Sequence, residues 1–445
     1  MGRAGSGCGG NNGLVDNSPA LLTDQYELTM LQAALEDGSA HRKCVFEMFA
    51  RRLPNGRRYG VVCGVGRFLD ALERFRFTSD QLQFLTANNI VNDQTASWLE
   101  NYRFSGNIDG YREGETYFPD SPILTVEATF GEAVVLETLA LSIYNFDSSV
   151  ASAAARMKLA AGSRSCNEMG SRRAHEYGAV AAARAAYIAG FDATSNLQAG
   201  ATYSIPTMGT SAHAFTLLHD TEDEAFASQV RSLGKNTTLL VDTFDVKSAV
   251  ESAVRIAGAD LGAVRIDSGD LVARAHIVRD QLNSLGAHDT KIVVTSDLDE
   301  HAIAALASAP VDAYGVGTSL VTGSGHPTAG LVYKLVARQD GSGEMQPVAK
   351  KSENKATRGG RKQAFRKFND SGIATAELVT TSQAQLPDTN ARVGLSVPLV
   401  RNGTRVNSDT IGDARTHLRN ALAQLPADAH RLAPGDPAFP TNYEQ

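Results

Sequence analysis

The sequence predicts an α/β protein: a parallel barrel of alternating strands and helices, preceded by an α+β domain. Three observations predict it. Seven short, partly apolar runs end in polar residues, and an alanine-rich helical stretch usually follows each: SRSCNEMGSRR, GFDATSN, PTMGTSAHAF, TTLLVDTFD, GAVRIDSGD, KIVVTSDLD and DAYGVGTSL. Their spacing is that of a strand–helix unit, the crossover that parallel strands require. The residues before them lack this rhythm and mix helices with strands and turns. Finally, the glycine turn YGVGTSL follows the last run, where a barrel places its phosphate site; a Rossmann-type sheet, the main alternative, would carry its glycine fingerprint early.

The elements follow in order. The start, MGRAGSGCGG, fits the loose myristoylation pattern with Gly2 and Ser6 in place and Cys8 nearby, but a Gly/Asn-rich disordered lead-in is the preferred reading. LLTDQYELTMLQAALEDG reads as a helix with Asp24 at its N-cap and Gly38 at its stop. KCVFEMFARRLP reads as a strand, YGVVCGVGRFLDALERFRF as a turn and helix, and TSDQLQFLTAN as a short helix capped by Thr78 or Ser79. Strands and turns occupy FSGNIDGYREGETYFPDSPILTVEATF, and VVLETLALSIYNFDSSVASAAARMKLAAG is a long helix. After GLVYKLVARQDG the chain turns β-like and then basic. The expected division is 1–16 lead-in, 17–130 α+β domain, 131–335 barrel, and 336–445 a basic loop and C-terminal segment that returns to the first domain.

Composition narrows the function. A chain of 445 residues supports two or more domains, and a net charge of −7 argues against a general nucleic-acid binder. Cys8, Cys44, Cys63 and Cys166 lack metal-type spacing and suit free thiols in a reducing compartment. No apolar run approaches a membrane span and no signal peptide is recognised, so the cytoplasm is expected.

Barrel chemistry sits at the C-terminal ends of the strands. In VRIDSGD, alternation turns Val264 and Ile266 towards the helices and Arg265 and Asp267 into the barrel, with Asp270 at the mouth. A structural ion pair would explain these charges, but together they suit a charged ligand: arginine for phosphate, carboxylates for a diol or a hydrated metal ion. Asp245 and Asp299 are assigned to helix capping, and Asp297 to the site. Gly315, Gly317, Thr318 and Ser319 share one turn whose N–H and hydroxyl groups can approach a phosphate. Arg172, Arg173 and His175 follow a strand at an expected helix start, where cations oppose the macrodipole unless an anion is bound. Lys350 to Lys367 holds eight basic residues and one acid; charge alone reads as a solvated loop, and a polyphosphate site, with Lys350 and Lys355, is the sharper reading. His213 completes the set at an expected strand end. The groups suggest transfer chemistry on a phosphorylated, magnesium-bound substrate, with no metal held by a protein ligand cluster.

The ordered set LLTDQYELTM, EMGSRRAHE, TSN, GTSAHAF, RIDSGDL, TSDLDE and YGVGTSL resembles the nicotinate phosphoribosyltransferases from about Leu21 to Arg361. The resemblance implies a type II phosphoribosyltransferase fold, an irregular, incomplete α/β barrel with an N-terminal α+β domain. It implies condensation of nicotinate with phosphoribosyl pyrophosphate, with Mg²⁺, coupled ATP hydrolysis and a homodimer sharing its active sites. By motif, His213 matches the histidine that ATP phosphorylates, an imidazole being a competent nucleophile for a phosphoryl group. Tyr26 matches an aromatic that stacks on the pyridine ring across the dimer interface. Arg172 and Arg265 resemble the arginines for phosphate and pyridine carboxylate, Asp267 a carboxylate near the ribose, Asp297 a hydroxyl or metal-water partner, and Gly317 with Thr318 the 5′-phosphate cradle. Ser195 stands where nicotinamide-using relatives carry aspartate; its hydroxyl can donate to the carboxylate of nicotinate. Met169 stands where an aromatic often stacks, and can itself pack on a π-face. A nicotinamide- or quinolinate-using relative, a phosphosugar-binding barrel without catalysis, and a metal-dependent barrel lyase are the competing readings.

Overall fold

A computed structural model describes residues 18–350, 358–381, 389 and 391–444. The expected lead-in at 1–16, with its Gly2 pattern and Cys8, and Lys355 of the basic segment lie outside the described residues.

The N-terminal helix forms over Gln25–Glu36 with Asp24 at its N-cap, and Gly38 follows in the left-handed region at φ 78°. Thr78 caps the helix Ser79–Ala87 through a reciprocal box with Gln81. The first sheet has seven strands, ordered Met345–Pro347, Leu331–Gln339, Lys43–Ala50, Leu124–Thr129, Asn107–Tyr111, Ser396–Arg401 and Thr404–Arg405. Every pairing in it is antiparallel. C-terminal strands thus complete the N-terminal domain. Leu331–Gln339, which straddles residue 335, lies wholly in this sheet. A smaller four-stranded sheet joins Arg392–Gly394, Gln363–Phe368, Ala374–Thr380 and Thr441–Glu444.

The second sheet is parallel throughout. Its six strands run in the order Ala193–Thr194, Ser165–Glu168, Ala313–Val316, Lys291–Thr295, Ala263–Ile266, Thr238–Leu240. Read round the ring, this is chain order with one gap, between Ala193–Thr194 and Thr238–Leu240. The fold is therefore an incomplete barrel, as expected. The gap is where PTMGTSAHAF was expected to add a strand. Instead that run makes a single parallel bridge, Thr207 to Thr194, and then turns into the helix His213–Leu218. Gly209 and the hydroxyl-rich stretch after it offer no alternating apolar face to hold a ladder.

The long helix Glu137–Ala161 joins the two halves. Its first turns bury Leu139, Ala140 and Tyr144 in the core of the first domain, and its later turns bury Val150, Ala154 and Met157 in the core behind the barrel. Small residues on this helix and on Glu176–Ile188, including Ala154, Ala182 and Ala185, let the backbones approach closely. Cys44, Cys63 and Cys166 are buried free thiols.

The basic segment departs from the solvated-loop reading. Lys362 is buried against Glu47, and Arg366 is buried between Glu115 and Glu377 at 2.8 and 2.6 Å. Arg361 pairs with Asp109 and Glu127, and Lys367 with Glu444. Carboxylates distant in sequence neutralise the second half of the run. Lys350 remains exposed.

Candidate active site

Arg265 and Asp267 leave the strand Ala263–Ile266 as alternation requires: Val264 and Ile266 are fully buried among the helices, and the two charged residues face the mouth. The Arg265 guanidinium donates to the Thr210 hydroxyl and, at 3.1 Å, to the Ser211 carbonyl. Its Nε is buried without a hydrogen-bond partner among the described residues. Burial pulls the Arg265 pKa down, Asp267 and Asp242 oppose that, and Arg172 adds to it, so the two guanidinium groups share one electrostatic field. Arg172 itself is exposed, with no hydrogen-bond or ion-pair partner among the described residues. Arg172 and Arg173 lie in a 3₁₀ turn, Ser171–Arg173, and the α-helix begins only at Glu176. The expected clash of these arginines with a helix N-terminus therefore does not arise.

Asp267 accepts from the Thr295 hydroxyl, and its backbone N–H donates to Asp242 at 2.8 Å. Asp242 also accepts from Ser268 at 3.0 Å, while its second oxygen is buried and unpartnered among the described residues. His213 is the first residue of its helix, not the end of a strand. Its Nδ1 lies 3.1 Å from the Thr243 hydroxyl and its Nε2 3.8 Å from Asp267. The imidazole is thus held across the open seam, from the loop after Thr207 to the mouth of the neighbouring strands, and its side chain is 41% exposed.

Met169 and Ser195 enter from the other edge. Met169 N–H donates to the Val316 carbonyl and Ser195 N–H to the Glu168 carbonyl, both at 2.8 Å. A Cβ on Gly315 would lie 2.6 Å from both Met169 Sδ and Thr295 Cγ2, so glycine is required there for Met169 to occupy the barrel interior. Gly317 opens the turn to Thr318, which is exposed. Asp297 is exposed just past its strand, whereas Asp245, Asp270 and Asp299 all cap helices. Capping was expected for Asp245 and Asp299; Asp270, expected at the mouth as a ligand group, spends its side chain on the Ala273 N–H. A cavity of about 940 Å³ beside Arg361 and Glu127 belongs to the first domain, away from these residues.

Residues 21–145 match the nicotinate phosphoribosyltransferase N-terminal domain model, and residues 164–370 match the nicotinate phosphoribosyltransferase family model. The chain belongs to the nicotinate phosphoribosyltransferase family.

Its relatives in that family include nicotinate phosphoribosyltransferase pncB1 of Mycobacterium tuberculosis, 55% identical over 95% of this chain and 94% of the relative. The nicotinate phosphoribosyltransferase of Bacillus subtilis is 38% identical over 81% of this chain and 75% of its own. The crystal structure of human nicotinic acid phosphoribosyltransferase superposes with a TM-score of 0.80 at 25% identity, covering 95% of this chain and 98% of that one.

Within the family frame, the structure gathers His213, Arg265, Asp267, Met169, Ser195, Arg172, Gly315, Gly317 and Thr318 at the strand ends of one barrel. Tyr26 is elsewhere: its neighbours are Glu137 and Thr138 in the first domain, and it is 46% exposed. Burial, with the carboxylates of Glu137, Glu27 and Asp24, raises its phenol to about 12. Thr210, Thr243, Thr295 and Asp242 were missed as site residues. Asp242 carries a sequence signal in its place at the end of LLVD, and Thr210 and Thr295 lie within GTSAHAF and TSDLDE; Thr243 carries none.

Proposed function

We propose that this chain condenses nicotinate with phosphoribosyl pyrophosphate to give nicotinate mononucleotide and pyrophosphate, in the salvage of pyridine nucleotides. The observation that carries the reading is the pair of guanidinium groups, Arg172 and Arg265, which feel each other at one mouth with no carboxylate hydrogen-bonded to either among the described residues. Two such cations are stabilised together by an anionic ligand. The names of the relatives supply the anion's class.

In this reading the C1′–pyrophosphate bond loosens first, giving an oxocarbenium-like sugar that the pyridine nitrogen attacks. That nitrogen carries no proton, so no general base is needed; the protein positions the reactants and stabilises the leaving group. Arg172 and Arg265 hold the phosphate groups and the pyridine carboxylate. Asp267 stands by the ribose, Asp297 by a hydroxyl or metal-bound water, and Gly315, Gly317 and Thr318 by the 5′-phosphate. Met169 packs on the ring and Ser195 donates to its carboxylate. ATP phosphorylates His213, and hydrolysis of the phosphohistidine draws the reaction towards product; Lys350 and Lys355 are assigned to polyphosphate.

Magnesium accompanies the polyphosphates in this reading. Asp297, exposed past its strand end, would face the water of such an ion, and substrate oxygens would carry the ion itself. When bound, it neutralises charge on the departing pyrophosphate. The exposed ring of Tyr26, remote from its own mouth, is assigned to the active site of a second copy in a homodimer. Among the described residues no helix is long and apolar enough to cross a membrane, and we assign the reaction to the cytoplasm.

The test is incubation with nicotinate, phosphoribosyl pyrophosphate and Mg²⁺, with and without ATP, against nicotinamide and quinolinate as competitors. Nicotinate mononucleotide should form, faster with ATP, and neither competitor should suppress it at equal concentration. No mononucleotide, or preferential turnover of a competitor, overturns the reading.

A further inference from the structure

Glu168 ends the strand Ser165–Glu168 and is fully buried, yet among the described residues no cation pairs with it. Its carboxyl accepts from the Gly170 N–H on one oxygen and from the Thr194 hydroxyl on the other. The Thr194 hydroxyl accepts in turn from the Asn196 N–H at 2.9 Å, and the Asn196 side-chain amide donates to the Ser171 hydroxyl at 3.0 Å. Ser171 follows Gly170, so these bonds close a ring. The ring fastens two mouth loops together: one carries Met169 and Arg172, the other Ser195. Gly170 also packs against the phosphate turn, since a Cβ there would lie 3.0 Å from the Gly317 carbonyl and 2.3 Å from Val321.

An apolar side chain would fill the same space without the desolvation cost of a buried carboxyl. It could not tie the two loops, because their Gly170 and Thr194 donors would lose their common acceptor. We propose that Glu168 is a positioning residue for the pyridine substrate, holding Met169 and Ser195 in the register that grips the ring and its carboxylate. This rests on the nicotinate reading above.

The experiment measures steady-state constants for both substrates and the melting temperature in the full chain. The variants are Glu168→Gln, Thr194→Val and Thr194→Ser. With one buried donor left unpaired, kcat/KM for nicotinate should fall about tenfold in Glu168→Gln and in Thr194→Val. The KM for phosphoribosyl pyrophosphate should change several-fold less than the nicotinate constant, and Thr194→Ser should restore the nicotinate value by keeping the hydroxyl. Should Glu168→Gln fail to fold, Thr194→Val and its serine counterpart decide the matter. Unchanged nicotinate constants overturn the proposal, as does a parallel loss for both substrates together with a lower melting temperature. A wild-type chain that makes no nicotinate mononucleotide fails before the variants are compared, and that result removes the underlying reading instead.

Discussion

The Arg265 guanidinium donates to the Thr210 hydroxyl across the one gap in the barrel. Strand and loop are thereby joined by side chains where the backbone ladder is missing. Thr210 precedes His213 by three residues, so Arg265 and the residue assigned to phosphorylation share a support.

Replacing Thr210 with valine keeps the volume and removes the acceptor. Arg265, whose Nε already lacks a partner among the described residues, is then held only by the Ser211 carbonyl. We expect kcat/KM for phosphoribosyl pyrophosphate to drop about tenfold in Thr210→Val. Thr210→Ser should retain the wild-type value in the same assay.

His213→Ala removes the imidazole between Thr243 and Asp267. Mononucleotide formation should persist slowly and become indifferent to ATP, as read by product formation with and without the nucleotide. Normal ATP stimulation in this variant would dismiss the assigned role.

With Ser195 assigned to the carboxylate of nicotinate, Ser195→Asp would set a second carboxylate opposite it. Ser195 is exposed, so solvent screens part of the repulsion, and we expect the KM for nicotinate to rise roughly tenfold. Nicotinamide, which can donate to the new carboxylate, should gain as a competitor.

Two buried ion pairs should govern acid stability. Burial alone would raise the Glu113 carboxyl, but Arg184 overcomes it and holds it at about 2. Glu115, against Arg366 and His417, is likewise depressed to about 2 despite its burial. A depressed carboxyl stabilises the fold fully above its unfolded pKa, and that contribution is lost as pH falls towards the folded value. Urea midpoints should therefore decline from about pH 4.5 down to about pH 2. In Arg366→Met, which leaves Glu115 and Glu377 buried without their cation, we expect a loss of about 3–5 kcal/mol at neutral pH.

Much of the barrel was legible because its signals are local. Alternation placed Arg265 and Asp267 inward and Val264 and Ile266 outward, and the aspartates after strands capped helices as short-range chemistry dictates. The failures lie where a partner is distant. PTMGTSAHAF has the length and polarity of a strand end, but only Thr207 finds a neighbour to bridge. The basic run from Lys350 looked solvated because Glu47, Glu115 and Glu377, which neutralise Lys362 and Arg366, come from other strands and turns of the chain. Thr210, Thr243 and Thr295 escape a reading of the sequence because a threonine in a loop or at a strand end is ordinary; their importance appears only when Arg265, His213 and Asp267 are seen to lean on them.

The missing stave has a mechanical outcome. On its Thr194 side the segment carrying His213 is stitched by two main-chain bonds, Thr194 to Pro206 and Met208 to Thr194. On its Thr238–Leu240 side the described residues show only threonine, arginine and imidazole contacts. At this seam the barrel is therefore closed by side-chain bonds, the class of contact whose local loss leaves every sheet whole.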